Sequence, residues 1–221
     1  MAHTSSFRKI DIANWPRKSY YEFFINNHDE GFSITADVDI SLLLKQTKAE
    51  GLKFYPSFIY ATSHVLNKYD DFKLGLHDGE LVCWDKIVPS YPIFHDDSKL
   101  FSCLWVDYFE DFKKFYLNYL DNTERFKNCT GFYGQPDEPE NCYILSNIPW
   151  VSFKNLSIFN HYADYNYFPR VICGKYYTVN EKTLLPISVS VQHATCDGYH
   201  IGVFFDEMQK LCDSANLWLK L

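Results

Sequence analysis

A histidine and an aspartate four positions apart, His193 and Asp197, are the residues best suited to acid–base chemistry in this chain. An imidazole exchanges a proton near neutral pH, and burial favours its neutral, proton-accepting form. Removal of a proton from a weakly acidic alcohol or thiol during attack requires such a base. The pair therefore predicts a general base at His193, with a carboxylate beside it.

Three other interpretations of this segment stay open. His193 could be a core histidine bonded to a backbone carbonyl, and Asp197 could only cap the next helix. Cys196 could be a nucleophile, although no lysine or arginine adjoins it in the sequence to lower the pKa of its thiol. His193, Asp197 and His200 could bind a metal, but their spacing is not typical of zinc sites. We expect no metal.

The segment before His193 is predicted to be the strand that positions it. Aliphatic residues from Ile187 to Val191 alternate with polar ones, which is the pattern of a half-buried strand. The same parity places His193 on the aliphatic face, so its ring is expected to point inward. Gly198 is expected to allow a sharp turn after Asp197.

The remaining patterns predict a mixed α/β protein, because strand and helix signals alternate along the chain. Hairpins are expected around His77-Asp78-Gly79 and Asn180-Glu181. No linker or repeat separates the elements, so we expect one domain over residues 1–221. Strands are predicted over residues 32–40, 72–76, 80–84, 91–95, 100–106, 141–148, 171–177 and 183–191, and helices over 41–50, 56–68, 109–126 and from 199 onward.

Composition indicates a well-filled core, since 47% of the 221 residues are hydrophobic and 19% are aromatic. Aromatic side chains also suit ligand pockets and subunit interfaces. The formal net charge of −7 disfavours nucleic acid and anionic membrane surfaces as partners. No apolar run approaches the roughly 18 residues of a membrane span.

Cysteine usage predicts a cytoplasmic protein. The seven cysteines are odd in number, scattered, and contain no Cys-x-x-Cys pair. This pattern is typical of reduced, mostly buried thiols. The first residues lack the apolar stretch of a secretory signal, so we expect none.

Two further residues, one of them suited to acyl transfer, have side chains that could take part in chemistry. Ser146 closes a predicted strand, and a hydroxyl there could donate to an oxyanion, or it could simply precede the turn at Pro149. Arg17 precedes an aromatic helix and could hold a carboxylate through two parallel hydrogen bonds, or it could be a solvated charge.

Two lysine–tyrosine segments are candidates for an anionic cofactor. Lys53 lies close to Tyr55, and Lys175 adjoins Tyr176. Together they could hold a phosphate and stack on an adenine, whereas singly they are ordinary surface residues. The chain contains no glycine-rich phosphate loop.

Taken together, four segments resemble the chloramphenicol acetyltransferase family, the trimeric type with a His-x-x-x-Asp-Gly motif. That motif alone is shared with other CoA-dependent acyltransferases, but four segments at matching spacing are specific. The resemblance spans essentially the whole chain and implies a two-layer sandwich of a mixed β-sheet with helices. The segments are Trp15-x-Arg17-Lys18, Lys53-Phe54-Tyr55-Pro56, Ser146-x-x-Pro149-Trp150 and His193-Ala194-Thr195-Cys196-Asp197-Gly198.

The resemblance implies a role for each matching residue. His193 would be the general base for a hydroxyl that attacks acetyl-CoA directly, without an acyl-enzyme. Ser146 would donate to the tetrahedral oxyanion, and Asp197 would pair with Arg17 to fix the turn that aims His193. For acetyl-CoA, the cofactor-binding residues would be Lys53 and Lys175 at the phosphate, with Tyr55 and Tyr176 at the adenine or pantetheine.

The resemblance also implies chloramphenicol as acceptor, its inactivation as an antibiotic, and a homotrimer with active sites between subunits. The chain departs from the family pattern at Gln192, His28, Glu30, Ile172 and Cys103. Glu30 and Ile172 favour a related acyltransferase with another small hydroxylated acceptor, and a non-catalytic, ligand-sequestering protein is the third possibility. The implied acceptor pocket comprises Phe23, Phe24, Phe101, Cys103, Phe132, Tyr133, Ile158 and Ile172.

Overall fold

Among the residues that the structure describes, a seven-stranded mixed sheet forms the framework. The structure, a computed structural model, describes residues 5–27, 30–158 and 167–221. The strands are β1 Phe7–Lys9, β2 Gly31–Asp39, β3 Leu74–His77, β4 Glu80–Trp84, β5 Val88–His95, β6 Leu100–Trp105, β7 Cys142–Ile148, β8 Arg170–Gly174, β9 Tyr177–Val179 and β10 Lys182–Gln192. The helices are α1 Lys18–Asn27, α2 Ser41–Ala49, α3 Phe54–Lys68, α4 Phe112–Phe126, α5 Gly198–Asp213 and α6 Ala215–Trp218.

The large sheet has the order β2-β10-β8-β7-β5-β6, and β9 adds to β10. β7 runs parallel to both β5 and β8, whereas the other pairs are antiparallel. β10 therefore lies inside the sheet, between β2 and β8. An interior strand with both neighbours paired has a fixed register, so the position of the residue that follows it is also fixed.

Helices cover one face of this sheet. The aliphatic side chains of β10 lie in the main core together with residues of α3 and α5, such as Phe58 and Phe204. α5 contacts β2, and α3 contacts both α5 and β5. This arrangement confirms the expected sandwich of a mixed sheet with helices. Within the described ranges, no helix is long and apolar enough to cross a membrane.

A second sheet of three strands, β1-β4-β3, lies beside this framework. It has its own apolar cluster, which contains Leu74, Leu81, Cys83 and Tyr167. Trp15, just before α1, packs against that cluster. The small sheet thus supports the start of the helix that follows Arg17.

The prediction that β10 is half-buried is wrong, because its polar face is covered too. Ser188 and Ser190 are only 2% and 3% exposed. The Ser190 hydroxyl shares a hydrogen bond of 2.7 Å with Ser33, and the Ser188 hydroxyl donates to the Leu156 carbonyl at 3.0 Å. Neighbouring polar groups thus replace water on this face.

The continuous strand predicted over residues 171–177 is interrupted after Gly174. The Lys175 N–H donates to the Val151 carbonyl instead of continuing the ladder. A Cβ on Gly174 would lie 2.8 Å from both that carbonyl oxygen and the Phe153 ring, so only glycine fits there. The hairpin around Asn180 is formed by β9 and β10.

Two helices begin at other residues than the sequence suggested. α3 starts at Phe54, which puts Pro56 in its first turn, where a missing N–H costs little. α4 starts at Phe112 because the Asp111 carboxylate accepts a hydrogen bond from the Lys114 N–H at 2.6 Å.

Candidate active site

Arg17 and Asp197 form a two-point ion pair at the end of β10. Nη1 of Arg17 donates to Oδ2 at 2.7 Å, and Nη2 donates to Oδ1 at 2.6 Å. The hydrogen bonds from Arg17 hold the pKa of the Asp197 carboxyl below its ordinary value, although partial burial opposes this shift. Asp197 is therefore ionised at neutral pH, and both hydrogen bonds of the pair are strengthened by the opposite charges.

The same guanidinium also holds the backbone that carries His193. Its Nε donates to the Ala194 carbonyl at 2.9 Å, and Nη2 donates to the His193 carbonyl at 3.0 Å. The Arg17 side chain is only 13% exposed. One largely buried arginine side chain thus fixes both the carboxylate and the turn that follows β10.

Aromatic rings position the imidazole of His193. The ring stacks on Phe24 with 4.1 Å between centroids and 9° between planes, and it contacts Phe32 at 4.8 Å. The side chain is 29% exposed. This inward orientation agrees with the parity prediction.

The two ring nitrogens of His193 differ in their surroundings. Nδ1 is buried and lies 3.3 Å from Oδ1 of Asp197, yet it is not aligned for a hydrogen bond. The contact is thus electrostatic. Nε2 is neither buried nor hydrogen-bonded among the described residues, and it is the nitrogen that could meet a substrate.

Asp197 is also the N-cap of α5, as one alternative interpretation proposed. Its backbone N–H donates to Nδ1 of His200 at 2.8 Å. The turn after Asp197 does not depend on the conformational freedom that glycine allows at Gly198. Its φ lies outside the left-handed region, and a Cβ there would meet nothing within 4 Å.

Cys196 and the metal interpretation find no support. Cys196 is fully buried, and burial raises the pKa of its thiol to about 12. A thiol that stays protonated is a poor nucleophile. Within the described ranges, histidine, cysteine and acidic side chains form no group of three or more that could hold a metal ion.

Ser146 lies far from His193 within one chain. It pairs with Ile172 of β8, which in turn pairs with Ser188 of β10, five positions before His193. At about 3.3 Å per residue and about 4.8 Å per strand, the two residues are roughly 16 Å apart along the strands and roughly 10 Å across them. Hereafter, the serine end of the sheet is the region of Ser146, and the base end is the region of His193.

The predicted acceptor residues divide between these two ends. Phe23 and Phe24 belong to α1 at the base end, whereas Ile172 pairs with Ser146 at the serine end. Cys103 pairs with Pro92, and continuing the β5–β7 register by two positions places Pro92 beside Ser146. Ile158, the last described residue of its segment, is half-buried.

An exposed aromatic patch continues from Cys103 at the serine end. The Cys103 N–H donates to the Phe132 carbonyl at 2.7 Å, and the Phe132 ring lies 5.8 Å from that of Phe101. Phe101, Phe132 and Tyr133 are 48%, 56% and 72% exposed. An exposed aromatic patch of this kind marks a binding or association surface.

The cofactor candidates come together near the start of α3. The Phe54 ring contacts Tyr176 at 6.2 Å, which brings Lys53 and Lys175 to one region, and both lysines are exposed. Tyr176 is 45% exposed and available to a ligand. The Tyr55 hydroxyl is buried without a hydrogen-bond partner, and burial raises its pKa well above the ordinary value.

Comparison with known proteins decides the family. The family model described as chloramphenicol acetyltransferase matches residues 5–209. A chloramphenicol acetyltransferase from Staphylococcus aureus is 42% identical over 217 residues, which are 97% of this chain and 99% of the relative. The chain belongs to the chloramphenicol acetyltransferase family. Another such relative, from Clostridium perfringens, is 41% identical over 215 residues, with 96% of this chain and 98% of the relative covered.

A solved chloramphenicol acetyltransferase has the same fold, with a TM-score of 0.80 over 95% of this chain and 99% of that chain at 24% identity. The family resemblance inferred from four sequence segments is thus confirmed. Sequence reasoning missed Phe32, which contacts the His193 ring. The alternating pattern of β2 indicates which face of the sheet Phe32 lies on. The sequence does not show that β2 pairs with β10, so it could not place Phe32 beside His193. His28, a noted departure, lies outside the described residues.

Proposed function

We propose that this protein transfers the acetyl group of acetyl-CoA to a hydroxyl of chloramphenicol and thereby inactivates the antibiotic. Membership of the chloramphenicol acetyltransferase family supports this activity. The observation that supports it most directly is the position of the His193 ring. Its Nε2 is accessible, Arg17 holds the backbone carbonyl of His193, and Asp197 lies 3.3 Å from the buried Nδ1.

His193 is the general base in this proposal. An alcohol is too weakly acidic to ionise at neutral pH, so Nε2 removes its proton while the oxygen attacks the thioester carbonyl. Asp197, 3.3 Å from Nδ1, stabilises the imidazolium that forms. Ser146 donates a hydrogen bond to the oxyanion. When the C–S bond breaks, the imidazolium returns the proton to the departing thiolate of CoA.

The proposed active site combines residues of two subunits. Ser146 and His193 are roughly 16 Å apart along the strands and roughly 10 Å apart across them, so one chain cannot apply both to one reacting carbon. In a homotrimer, Phe23, Phe24 and the base end of one subunit would face the serine end of its neighbour. That neighbour would contribute the remaining acceptor residues, which are Phe101, Cys103, Phe132, Tyr133, Ile158 and Ile172. Their exposed aromatic rings support an interface there.

For acetyl-CoA, we assign Lys53 and Lys175 to the phosphate and Tyr55 and Tyr176 to the adenine or pantetheine. The contact between Phe54 and Tyr176 supports this grouping. The whole chain of residues 1–221 is taken as one acetyltransferase domain in the cytoplasm. The seven free cysteines are consistent with that compartment.

Thiol release from acetyl-CoA, followed spectroscopically with and without chloramphenicol, tests the proposal. Release that depends on chloramphenicol would support both the chemistry and the acceptor. Ligand-induced stabilisation without release would instead indicate a sequestering protein. Release only with other alcohols would indicate a related acyltransferase, which the exposed Glu30 beside the base favours.

A further inference from the structure

Glu30 lies directly opposite His193 in the sheet. The β2–β10 register pairs Gly31 with Gln192, and the ladder continues by one residue, because the His193 N–H donates to the Glu30 carbonyl at 2.8 Å. Residues directly opposite in an antiparallel pair point to the same face, with Cβ atoms about 5 Å apart. Phe32, two positions from Glu30 and therefore on that face, contacts the His193 ring at 4.8 Å. The Glu30 side chain thus leaves the strand on the same face as the imidazole, and no ion pair joins the two side chains.

The charge of Glu30 is not balanced within the described part of the chain. Arg17 neutralises Asp197, the other carboxylate near the imidazole. Glu30 is exposed and has no ion-pair or side-chain hydrogen-bond partner among the described residues. The residues assigned to the acceptor pocket are all uncharged. Among the described residues of the acceptor subsite, Glu30 therefore contributes a negative charge that no cation neutralises.

An acceptor that binds beside His193 removes water from this carboxylate. Losing water is costly for a carboxylate unless a cation replaces the lost interactions. An ammonium group two carbons from the reacting hydroxyl would lie about 3 Å from that oxygen, within reach of a glutamate whose Cβ is about 5 Å from that of the base. A neutral group at the same place would leave the carboxylate unpaired.

We propose that Glu30 is a specificity-determining residue that directs the site toward β-amino alcohols, hydroxyl compounds with an ammonium group on the neighbouring carbon. This inference rests on the proposed acetyl transfer to a hydroxyl. The step is the one described above: the C–S bond of acetyl-CoA breaks, an ester C–O bond forms, and the hydroxyl proton ends on CoA. Glu30 takes no part in it and acts through acceptor affinity.

The test compares chloramphenicol with the amino diol that remains when its dichloroacetyl group is removed. The two compounds share the nitrophenyl ring and both hydroxyls, but only the amino diol carries an ammonium group. We would measure kcat/KM for each by thiol release at pH 7, and identify the ester product by mass spectrometry and NMR. The variants are Glu30→Gln, Glu30→Asp and, as a control on an exposed helix end, Glu50→Gln.

Glu30→Gln is expected to lower kcat/KM for the amino diol by about fivefold to tenfold, mainly through KM, and to raise it for chloramphenicol. Glu30→Asp keeps the charge and should keep the wild-type preference, and Glu50→Gln should change neither value. High salt should reduce the preference of the wild type. An unchanged ratio in Glu30→Gln, with chloramphenicol turned over, overturns this inference alone. Turnover of neither compound by the wild type overturns the proposed function, and this inference with it.

Discussion

Arg17 and Asp197 meet in a two-point ion pair although 180 positions separate them in the sequence. The pair joins the residue just before α1 to the residue that caps α5. Because Arg17 also holds the carbonyls of His193 and Ala194, loss of either charged partner should disturb the base as well as the fold.

Asp197→Asn is expected to destabilise the protein by about 1–2 kcal/mol, a value already reduced because the carboxylate is partly exposed. The amide cannot accept both bonds from Arg17, so the turn loosens and kcat also falls. Thermal and denaturant unfolding measure the first effect. Asp206→Asn on the exposed face of α5 is the control. An unchanged melting temperature in Asp197→Asn would contradict the structural role of the pair.

The contribution of this pair to stability should disappear in acid. Arg17 lowers the pKa of Asp197 in the folded state, whereas an unfolded aspartate titrates near ~3.9. The stabilisation is therefore complete above that value and is lost as pH falls through the lower, folded-state pKa. The stability difference between wild type and Asp197→Asn should stay constant from pH 7 to about pH 5 and narrow below about pH 4. A difference that is as large at pH 2 as at pH 7 would exclude ionisation as its cause.

His193→Ala is expected to abolish turnover while the assembly persists. The imidazole contributes removal of the acceptor's hydroxyl proton during attack, and alanine has no group that can accept this proton. Steady-state rates and light scattering measure the two properties. Activity within tenfold of the wild type would rule out the role of His193 as general base.

Ser146→Ala should lower kcat by about 10²–10³, the usual effect of one lost oxyanion donor, and less than loss of the base. A change in substrate affinity without a change in kcat would indicate that Ser146 binds the substrate and does not stabilise the oxyanion.

Mixing the His193→Ala and Ser146→Ala variants tests whether each active site is built from two subunits. In trimers that contain both His193→Ala and Ser146→Ala chains, one interface in three would pair an intact His193 with an intact Ser146. Random co-assembly of equal amounts should then restore about a quarter of wild-type activity. Sites built within single chains would give no restoration. Separately purified variants, which have no intact interface, are the control.

Gly198→Ala is expected to be tolerated, and to stabilise the fold by about 0.4–1 kcal/mol. The residue has an ordinary φ and free space at its Cβ, and alanine reduces the freedom of the unfolded chain. Denaturant unfolding checks the stability. A folded but inactive variant would show that a substrate approaches this backbone closely.

The fold followed from the sequence where the signals were local. The period-2 pattern before His193 predicts β10, and the two central hairpin residues before β10, Asn180 and Glu181, have the positive φ values of 48° and 66° that such turns require. Alternation failed to predict the burial of Ser188 and Ser190, because it reports side-chain polarity and not whether another segment covers the polar face.

The site was less accessible to sequence reasoning, because its residues are distant in the chain. Nothing local links Arg17 to Asp197, and their pairing was expected only from the family resemblance. The separation of Ser146 from His193 depends on the order β10-β8-β7, which no single segment encodes. The position of Glu30 opposite His193 also comes only from the structure, because it depends on the register between β2 and β10.

The hydrogen bonds from Arg17 to the carbonyls of His193 and Ala194 also set an order of events during synthesis. Arg17 leaves the ribosome 180 residues before its partner Asp197. The proposed base therefore has no fixed orientation until nearly all of the described chain has been made. Fragments released before Asp197 is made would lack these hydrogen bonds, and the imidazole of the proposed base would not be held in place.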